Sequence, residues 1–222
     1  MPRRPMSSAQ LASFLCSRLC HDLISPVGAI GNGLEILQEE GDDAMREQAI
    51  ALMNHSVQEA ARRLTFFRLA FGVAGGMGEE IRLADVREAA DGMFTQGRTR
   101  LAWPPGLARE TTLAKPLARL LLNLTLVVGA TLPRGGTISV GLSGSGEAAS
   151  LSLRAAGTGA RLTPGLRTAL KGEMGADELD THTAVAQLAR ELAAEIGVEL
   201  AAIEGHDAVE LRAGTAAHAI AR

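Results

Sequence analysis

A histidine and an aspartate stand side by side at His21 and Asp22, and Pro26 follows inside the pattern of a long helix. A proline in a helix interior lacks an amide hydrogen and clashes with the carbonyl four residues earlier, at a cost of roughly 3 kcal/mol. That carbonyl belongs to Asp22, so the helix should bend one turn after His21 and leave it free. A neutral imidazole is a good nucleophile near pH 7, so an exposed His21 would suit covalent phosphoryl transfer. Asp22, as a solvated carboxylate, would orient the ring or hold a proton on its other nitrogen.

The helix that carries this pair should begin at a capping box formed by Ser7 and Gln10 and run to about Glu40. Gly41 then serves as a stop, and either of the two aspartates that follow can cap a second helix, which continues to roughly Ala70. Because the connection is only a few residues long, the two helices should be antiparallel neighbours.

Apolar residues recur every seven positions in both helices, as they do on the faces of helical bundles. In the first helix we take one row as innermost, with a second row beside it: Leu23, Ile30 and Leu37, then Cys20, Val27 and Leu34. The second helix has the matching rows Ile50, Val57, Leu64 and Phe71, then Met53, Ala60 and Phe67. His21 then falls on the outer side of the first helix. A lone hairpin leaves such faces half-covered, so we expect a second copy to complete a four-helix bundle with two-fold symmetry.

The rest of the chain mixes strand and helix patterns after a glycine-rich stretch, Gly72 to Gly78, that indicates a hinge. Strands are expected in "EIRLADV" and "RTRLAWP", and hairpins in "GGTISVGLSGSGEAASLSLRAA" and "VELAAIEGHDAVELRA". Helices are expected to about Gln96, from Lys115 to about Val128, and from Thr183 to Ile196. This mix predicts an α/β sandwich with a layer of helices on one sheet. The expected domains are 1–75 and 79–222.

The composition limits the location and the class of partner. The net charge is -3 and there is no long basic run, which argues against a nucleic-acid binder. The most apolar region contains Arg119 and Asn123 and is too short to span a bilayer, so no membrane partner is expected. The first ten residues lack an apolar stretch long enough for a signal peptide. We therefore expect a soluble, cytoplasmic protein.

The other cysteines and histidines suggest no chemistry of their own. Cys16 and Cys20 lie four residues apart on one helical face, which indicates buried thiols and neither a disulfide nor a metal pair. The remaining histidines have no metal-like spacing and are interpreted as structural or solvated: His55, His182, His206 and His218. No metal site is expected in the chain.

The pattern His-Asp-Leu-Ile-Ser-Pro from His21 to Pro26 resembles the phosphoacceptor box of two-component histidine kinases. The longer run "RLCHDLISPVGAIGNGLEIL", with the helical hairpin after it, is most similar to the ChpT-type histidine phosphotransferases of alphaproteobacteria. The resemblance covers the whole chain in layout and is tight over residues 18–37. It implies a dimeric phosphorelay intermediate that carries phosphate on His21.

Histidine kinases follow such a hairpin with an ATP-binding α/β domain marked by an Asn-x-x-x-Asn pair, an Asp-x-Gly-x-Gly loop and a glycine-rich lid. This chain keeps Asn123 but has Val127 in place of the second asparagine. It keeps Gly157 and Gly159 but has Ala155 in place of the aspartate, and "GADELDTHTAVAQLAREL" has no Gly-x-Gly before its helix. The resemblance therefore implies a degenerate ATPase-like sandwich that binds no ATP. The segment "AAGTGA" is then a turn between a strand and a helix.

The resulting hypothesis is a relay in which His21, assisted by Asp22, takes a phosphoryl group from the receiver aspartate of a hybrid histidine kinase. His21 then passes it to the aspartates of response regulators. No cofactor is expected in this chain, and the Mg²⁺ should come from the partner receiver. Two alternatives stay open: a divergent histidine kinase that uses ATP, and a non-catalytic dimeric scaffold that binds response regulators.

A docking surface for the receivers follows from the antiparallel geometry. Counting back from the turn near Gly41, His21 lies about level with Arg62 of the second helix. The expected docking residues are those near this level on both helices: Ile24, Gly28, Gly31, Arg62, Arg63 and Phe66. Glycine in a helix interior costs roughly 1 kcal/mol, which fits a backbone left bare for a partner.

Overall fold

The structure is a computed structural model, and it describes residues 6–38, 42–72, 80–105, 111–143 and 150–214. The helices are α1 Ser8–Gln38, α2 Asp43–Ala70, α3 Leu83–Phe94, α4 Lys115–Gly129, α5 Pro164–Lys171 and α6 Thr183–Glu195, with a short 3₁₀ helix at Ala176–Glu178. The strands are β1 Glu80–Arg82, β2 Thr99–Ala102, β3 Thr112–Ala114, β4 Gly136–Ser143, β5 Ser150–Ala156, β6 Glu199–Gly205 and β7 Ala208–Gly214. Three predicted features lie outside the described residues: the helix stop at Gly41, most of the hinge, and the turn of the first β-hairpin.

Both helices of the N-terminal hairpin begin where the sequence predicted. The backbone amide of Ser7 donates to Gln10 Oε1 over 3.1 Å, and the amide of Gln10 donates to Ser7 Oγ over 3.2 Å, which completes the capping box. At the start of α2, the amide of Met45 donates to Asp42 Oδ1 over 2.8 Å. The first helix continues through Pro26 as one element.

The C-terminal part is built on a five-stranded mixed sheet with the order β2-β4-β5-β7-β6. Strand β2 runs parallel to β4, whereas the β4–β5, β5–β7 and β6–β7 pairs are antiparallel. Helices α4 and α6 pack their buried residues into the same core as the inward side chains of β5 and β7. The predicted α/β sandwich and both hairpins are thus confirmed.

The end of the helical hairpin enters that same core. Leu11 of α1 and Phe66, Phe67 and Ala70 of α2 belong to one cluster with the buried residues of α4 and α6. The fully buried Asn123 reinforces this junction, because its Nδ2 donates to the carbonyl of Ala70 over 2.9 Å and to its own helix. The two parts are therefore packed together where the hairpin ends.

A helix was expected after the turn "AAGTGA", and α5 is that helix, although its bounds were not predicted. The signals for both of its ends are present in the sequence. Thr163 caps it by accepting a hydrogen bond from the amide of Leu166 over 3.2 Å, and Pro164 takes its first position. Gly172 ends it in the left-handed conformation at φ +72°. The helix is only eight residues long, so it shows too few turns for its periodicity to stand out.

The assignment of helix faces needs a correction. The residues of α1 buried against α2 are Asp22, Pro26 and Gly33, whereas the predicted innermost row is only partly buried. The neighbouring apolar rows are about half exposed in the single chain: Val27 and Leu34 on α1, and Ile50, Val57 and Leu64 on α2. A seven-residue repeat marks an apolar face, but it does not distinguish the seam inside the hairpin from a face left for another chain.

Gly33 lets α1 approach α2 closely, and this predicts a contrast with Gly31. A Cβ on Gly33 would collide with Met53 Cγ and lie 3.3 Å from the carbonyl of Ala49, whereas a Cβ on Gly31 would meet nothing within 4 Å. We expect Gly33→Ala to destabilise the protein by about 1 kcal/mol, since overpacking exceeds the gain in helix propensity. Gly31→Ala should instead stabilise it by about 0.5–1 kcal/mol. Urea unfolding of both variants tests the contrast, and equal stabilities would contradict it.

Candidate functional site

His21 is exposed on the outer side of α1. Its side chain is 82% exposed, and Nδ1 lies 3.0 Å from Asp22 Oδ1. An ionised carboxylate can only accept, so in the neutral ring Nδ1 is the protonated nitrogen and Nε2 keeps its lone pair. The arrangement presents an unprotonated nitrogen on an exposed ring, which is the requirement for a histidine nucleophile.

Asp22 differs from the solvated carboxylate that the sequence suggested. It is only 7% exposed and is therefore buried. Its Oδ2 accepts a hydrogen bond from Arg18 Nε over 3.0 Å, so each carboxylate oxygen has a partner. A buried charge is stable only when it is paired and hydrogen-bonded, and Arg18 supplies the opposite charge.

The carbonyl that Pro26 leaves without an amide donor is occupied by an arginine of the second helix. The Arg63 guanidinium donates from one nitrogen to the carbonyl of Asp22 and from another to the carboxylate of Glu59. Arg63 is half-buried, so this contact sits inside the hairpin. The carbonyl that the proline was predicted to leave free is therefore bound by a side chain of α2, almost level with His21.

His182 joins the site from the C-terminal part of the chain. Arg18 donates a second hydrogen bond from its terminal nitrogen to His182 Nδ1 over 2.8 Å. Burial lowers the pKa of His182, and the nearby charge of Arg18 lowers it further, so the neutral accepting form is favoured. The sequence interpretation of His182 as merely structural or solvated missed this contact, because no spacing signal links residues 164 positions apart.

The predicted docking residues divide into two groups. Ile24 is 70% exposed, and Gly28 and Gly31 have open space above their Cα atoms. Phe66 is 0% exposed and packs in the core, so its predicted place on a docking surface is corrected. Arg62 is half-buried, and its side chain packs along α3 beside Gly92.

The positions of the C-terminal part that correspond to the ATP-binding motifs of histidine kinases have structural roles in this chain. Val127 and Ala155 are buried in the core. The turn after β5 is held by Asp207: the Gly157 amide donates to its carbonyl over 3.0 Å, and the Gly159 amide donates to its Oδ1 over 2.8 Å. The segment "AAGTGA" is thus a turn between a strand and a helix, as predicted.

The described residues contain neither a candidate metal site nor a candidate membrane span. Within the described ranges, no group of three or more histidine, cysteine, aspartate or glutamate residues is placed to hold a metal ion. In the same ranges, no helix has the length and apolar character needed to cross a bilayer. Cys16 and Cys20, expected to be buried, are exposed in the single chain.

Known proteins resemble this chain in both sequence and fold. The family model for the histidine phosphotransferase C-terminal domain matches residues 83–208, more than half of the chain. The chain belongs to the histidine phosphotransferase family. It is 36% identical to the protein phosphotransferase ChpT of Brucella abortus (strain 2308) over 88% of this chain and 90% of that protein. A solved structure of a bacterial phosphotransferase superimposes with a TM-score of 0.81 at 34% identity, covering 95% of this chain and 98% of that one.

The contact between Arg63 and the Asp22 carbonyl ties α2 to α1 beside His21, and its contribution to stability can be measured. We expect Arg63→Met to cost about 1.5–3 kcal/mol of unfolding free energy, because it leaves a buried carbonyl without a donor. In a Pro26→Ala background the helix amide returns to that carbonyl, so the same substitution should cost less. Urea unfolding of the four proteins gives a coupling energy, expected at about 1 kcal/mol; additive effects would contradict the assignment.

Proposed function

We propose that this chain relays a phosphoryl group from the receiver aspartate of a hybrid histidine kinase, through His21, to the receiver aspartates of response regulators. The observation that carries the proposal is the exposed ring of His21, held at Nδ1 by Asp22 so that Nε2 faces outward unprotonated. Family membership and the likeness to a protein phosphotransferase support the same reaction. Because receivers of this kind act inside the cell, the proposed location is the cytoplasm.

The two steps of the relay mirror each other. In the first, His21 Nε2 attacks the phosphorus of the phospho-aspartate, the N–P bond forms, and the aspartate carboxylate leaves with the electrons of the broken P–O bond. The ring then carries positive charge, and Asp22 stabilises it through the Nδ1 proton. In the second, the carboxylate of the next receiver attacks, and the imidazole leaves as the neutral ring. No proton has to leave the His21–Asp22 pair in either direction.

The proposal assigns no ATP and no cofactor to this chain. Three features support that part: the buried Val127 and Ala155, and the internal use of the Asn123 amide. The turn at Gly157 and Gly159 supports it too, because its backbone amides already donate to the neighbouring turn. The Mg²⁺ that phosphoryl transfer between aspartate and histidine uses would be held by the partner receiver.

We further propose that the chain acts as a homodimer through a four-helix bundle. The support is one apolar face that is about half exposed in the single chain. We call it the dimer face, and it consists of Val27 and Leu34 on α1, and Ile50, Val57 and Leu64 on α2. His21 lies on a different side of α1 from this face, so dimerisation would leave it accessible. Exposed aliphatic rows of this regularity are typical of a bundle face awaiting partner helices.

The docking surface for a receiver, in this proposal, surrounds His21 on α1. Ile24 offers an exposed aliphatic side chain one turn away, and the bare backbone at Gly28 and Gly31 would let a partner helix pack closely. Arg63 contributes indirectly by holding the helix next to His21.

The first experiment follows radiolabel from ATP in a purified mixture with an active hybrid kinase. We expect acid-labile, base-stable label on the wild-type chain only when the kinase is present, and none on His21→Ala. The matched control is His206→Ala, since His206 is also fully exposed but lies far along the chain in the β6–β7 turn; it should be labelled like wild type. Label from ATP alone would show a working kinase instead, and label on His21→Ala would reject His21 as the phosphoacceptor.

The dimer proposal predicts that a charge on the dimer face separates the chains. Val57→Glu should convert the dimer to a folded monomer, because a carboxylate cannot be buried unpaired in an apolar interface. Ala51→Glu is the control, since Ala51 is also an exposed apolar residue of α2 but lies on another side of the helix. Light scattering after size-exclusion chromatography measures both masses, and a wild-type monomer at micromolar concentration would contradict the proposal.

A further inference from the structure

The α/β part of the chain reaches the nucleophile through one hydrogen-bonded series. His21 Nδ1 is 3.0 Å from Asp22 Oδ1, Asp22 Oδ2 is 3.0 Å from Arg18 Nε, and the Arg18 terminal nitrogen is 2.8 Å from His182 Nδ1. The first three residues share α1, whereas His182 stands immediately before α6. His182 is thus the member of this series that does not belong to the helical hairpin.

His182 is held rigidly enough to act as a fixed acceptor. Its backbone amide donates to Asp180 Oδ1 over 2.8 Å, and the same carboxylate accepts from the amide and hydroxyl of Thr183. Thr183 is buried and begins α6, which packs in the main core. The imidazole is therefore anchored to the α/β part while its Nδ1 faces Arg18.

Arg18 depends on this acceptor for its orientation. A guanidinium is a planar fork, so fixing one terminal nitrogen fixes the direction of Nε as well. The Arg18 side chain is only 15% exposed, which leaves it little water as an alternative partner. Without His182, Nε would lose the constraint that points it at Asp22, and the carboxylate would lose part of what keeps it against the ring of His21.

We propose that His182 is a positioning residue for phosphoryl transfer, acting as the neutral acceptor that holds Arg18 on Asp22 and so keeps His21 with Nδ1 protonated and Nε2 free. The proposal rests on the proposed role of His21 as phosphoacceptor and adds what the α/β part contributes to it. Isolated imidazole side chains favour the opposite tautomer, with the proton on Nε2, so the protein has to maintain the reactive one.

The arrangement also gives a pH dependence with a definite sign. A protonated His182 has no lone pair for Arg18 and would set two cations against each other. The charged or titratable groups that face it are Arg18, Asp22 and His21 from α1 and Asp180 from its own loop. Its pKa lies below the ordinary 6.5, so the contact is intact at neutral pH. Because the unfolded chain takes up this proton first, the contribution to stability shrinks as the pH falls below 6.5.

The test uses the full chain and phosphoramidate, a small phosphoryl donor that needs no partner protein. His21 Nε2 attacks its phosphorus, the donor's P–N bond breaks, and ammonia leaves. We expect His182→Leu, which keeps the bulk but not the acceptor, to lower the initial rate of labelling by up to about tenfold, the order expected for loss of one hydrogen bond to a charged group. His182→Asn places an oxygen near the position of Nδ1 and should restore most of the rate.

Two further readings separate positioning from a merely structural role. Long-range ¹H–¹⁵N spectra of the imidazoles should show His21 with its proton on Nδ1 in wild type and His182→Asn, and a shift toward Nε2–H in His182→Leu. Between pH 7.5 and 5.5 the labelling rate of wild type should fall more steeply than that of His182→Asn, which has no group to titrate at this position. The comparison isolates the contribution of residue 182, since the two proteins differ only at this position.

The outcomes distinguish this inference from the proposed function. If His182→Leu, folded by circular dichroism, is labelled at the wild-type rate with an unchanged His21 tautomer, His182 does not position the nucleophile. If Leu and Asn variants lose rate equally with the tautomer unchanged, the role of His182 is structural and the inference is equally overturned. Label on His21→Ala at the wild-type rate would instead reject the phosphoacceptor itself.

Discussion

A charged carboxylate buried inside a two-helix hairpin is the constraint around which this site is built. Asp22 is 7% exposed, yet it must stay ionised to hold the Nδ1 proton of His21. Burial of a lone carboxylate would cost several kcal/mol or force it to take up a proton, so its second oxygen needs a cation, and Arg18 provides one. The exposed nucleophile and its buried orienting partner are thus consecutive residues of one helix.

Pro26 adds a second constraint, which acts on the backbone of Asp22. It removes the amide donor from the Asp22 carbonyl, and Arg63 of the other helix donates a hydrogen bond to that carbonyl in its place. A main-chain bond within α1 is thereby replaced by a side-chain bond between α1 and α2. The hairpin is tied together at the level of His21, which is where a partner would approach and where the ring must not move.

The sequence carried most of the fold and the nucleophile, because these depend on local signals. The capping box at Ser7, the cap at Asp42 and the strand patterns of the two hairpins are short-range features, and the structure confirms them. The exposure of His21 followed from the heptad pattern even though the innermost row was misassigned. The burial of Asp22 did not follow, since a seven-residue repeat is satisfied equally by the helix of the same hairpin and by the helix of a second copy.

The contacts that the sequence could not predict are the long-range polar ones. Arg63 meets Asp22 across 41 residues, and Arg18 meets His182 across 164 residues. Polar side chains carry no periodicity that announces a distant partner, so the pairing emerges only from the packed helices. Asn123 illustrates the same limit: its position matches a kinase motif, whereas its amide is spent on tying α4 to the end of α2.

The hydrogen bonds that Arg18 and Arg63 already make bear on what this chain and the receiver would each contribute to phosphoryl transfer. Arg18 already donates to Asp22 and His182, and Arg63 donates to the Asp22 carbonyl and Glu59. Reorienting either side chain toward a phosphoryl group on His21 would break a bond to a half-buried or buried acceptor. In the proposed relay the charge of the moving group is therefore neutralised by the receiver and its metal, while this chain supplies orientation and a nucleophile. In the same proposal Asp22 stabilises the charged ring of His21 in both steps, so the phosphoryl group can pass in either direction.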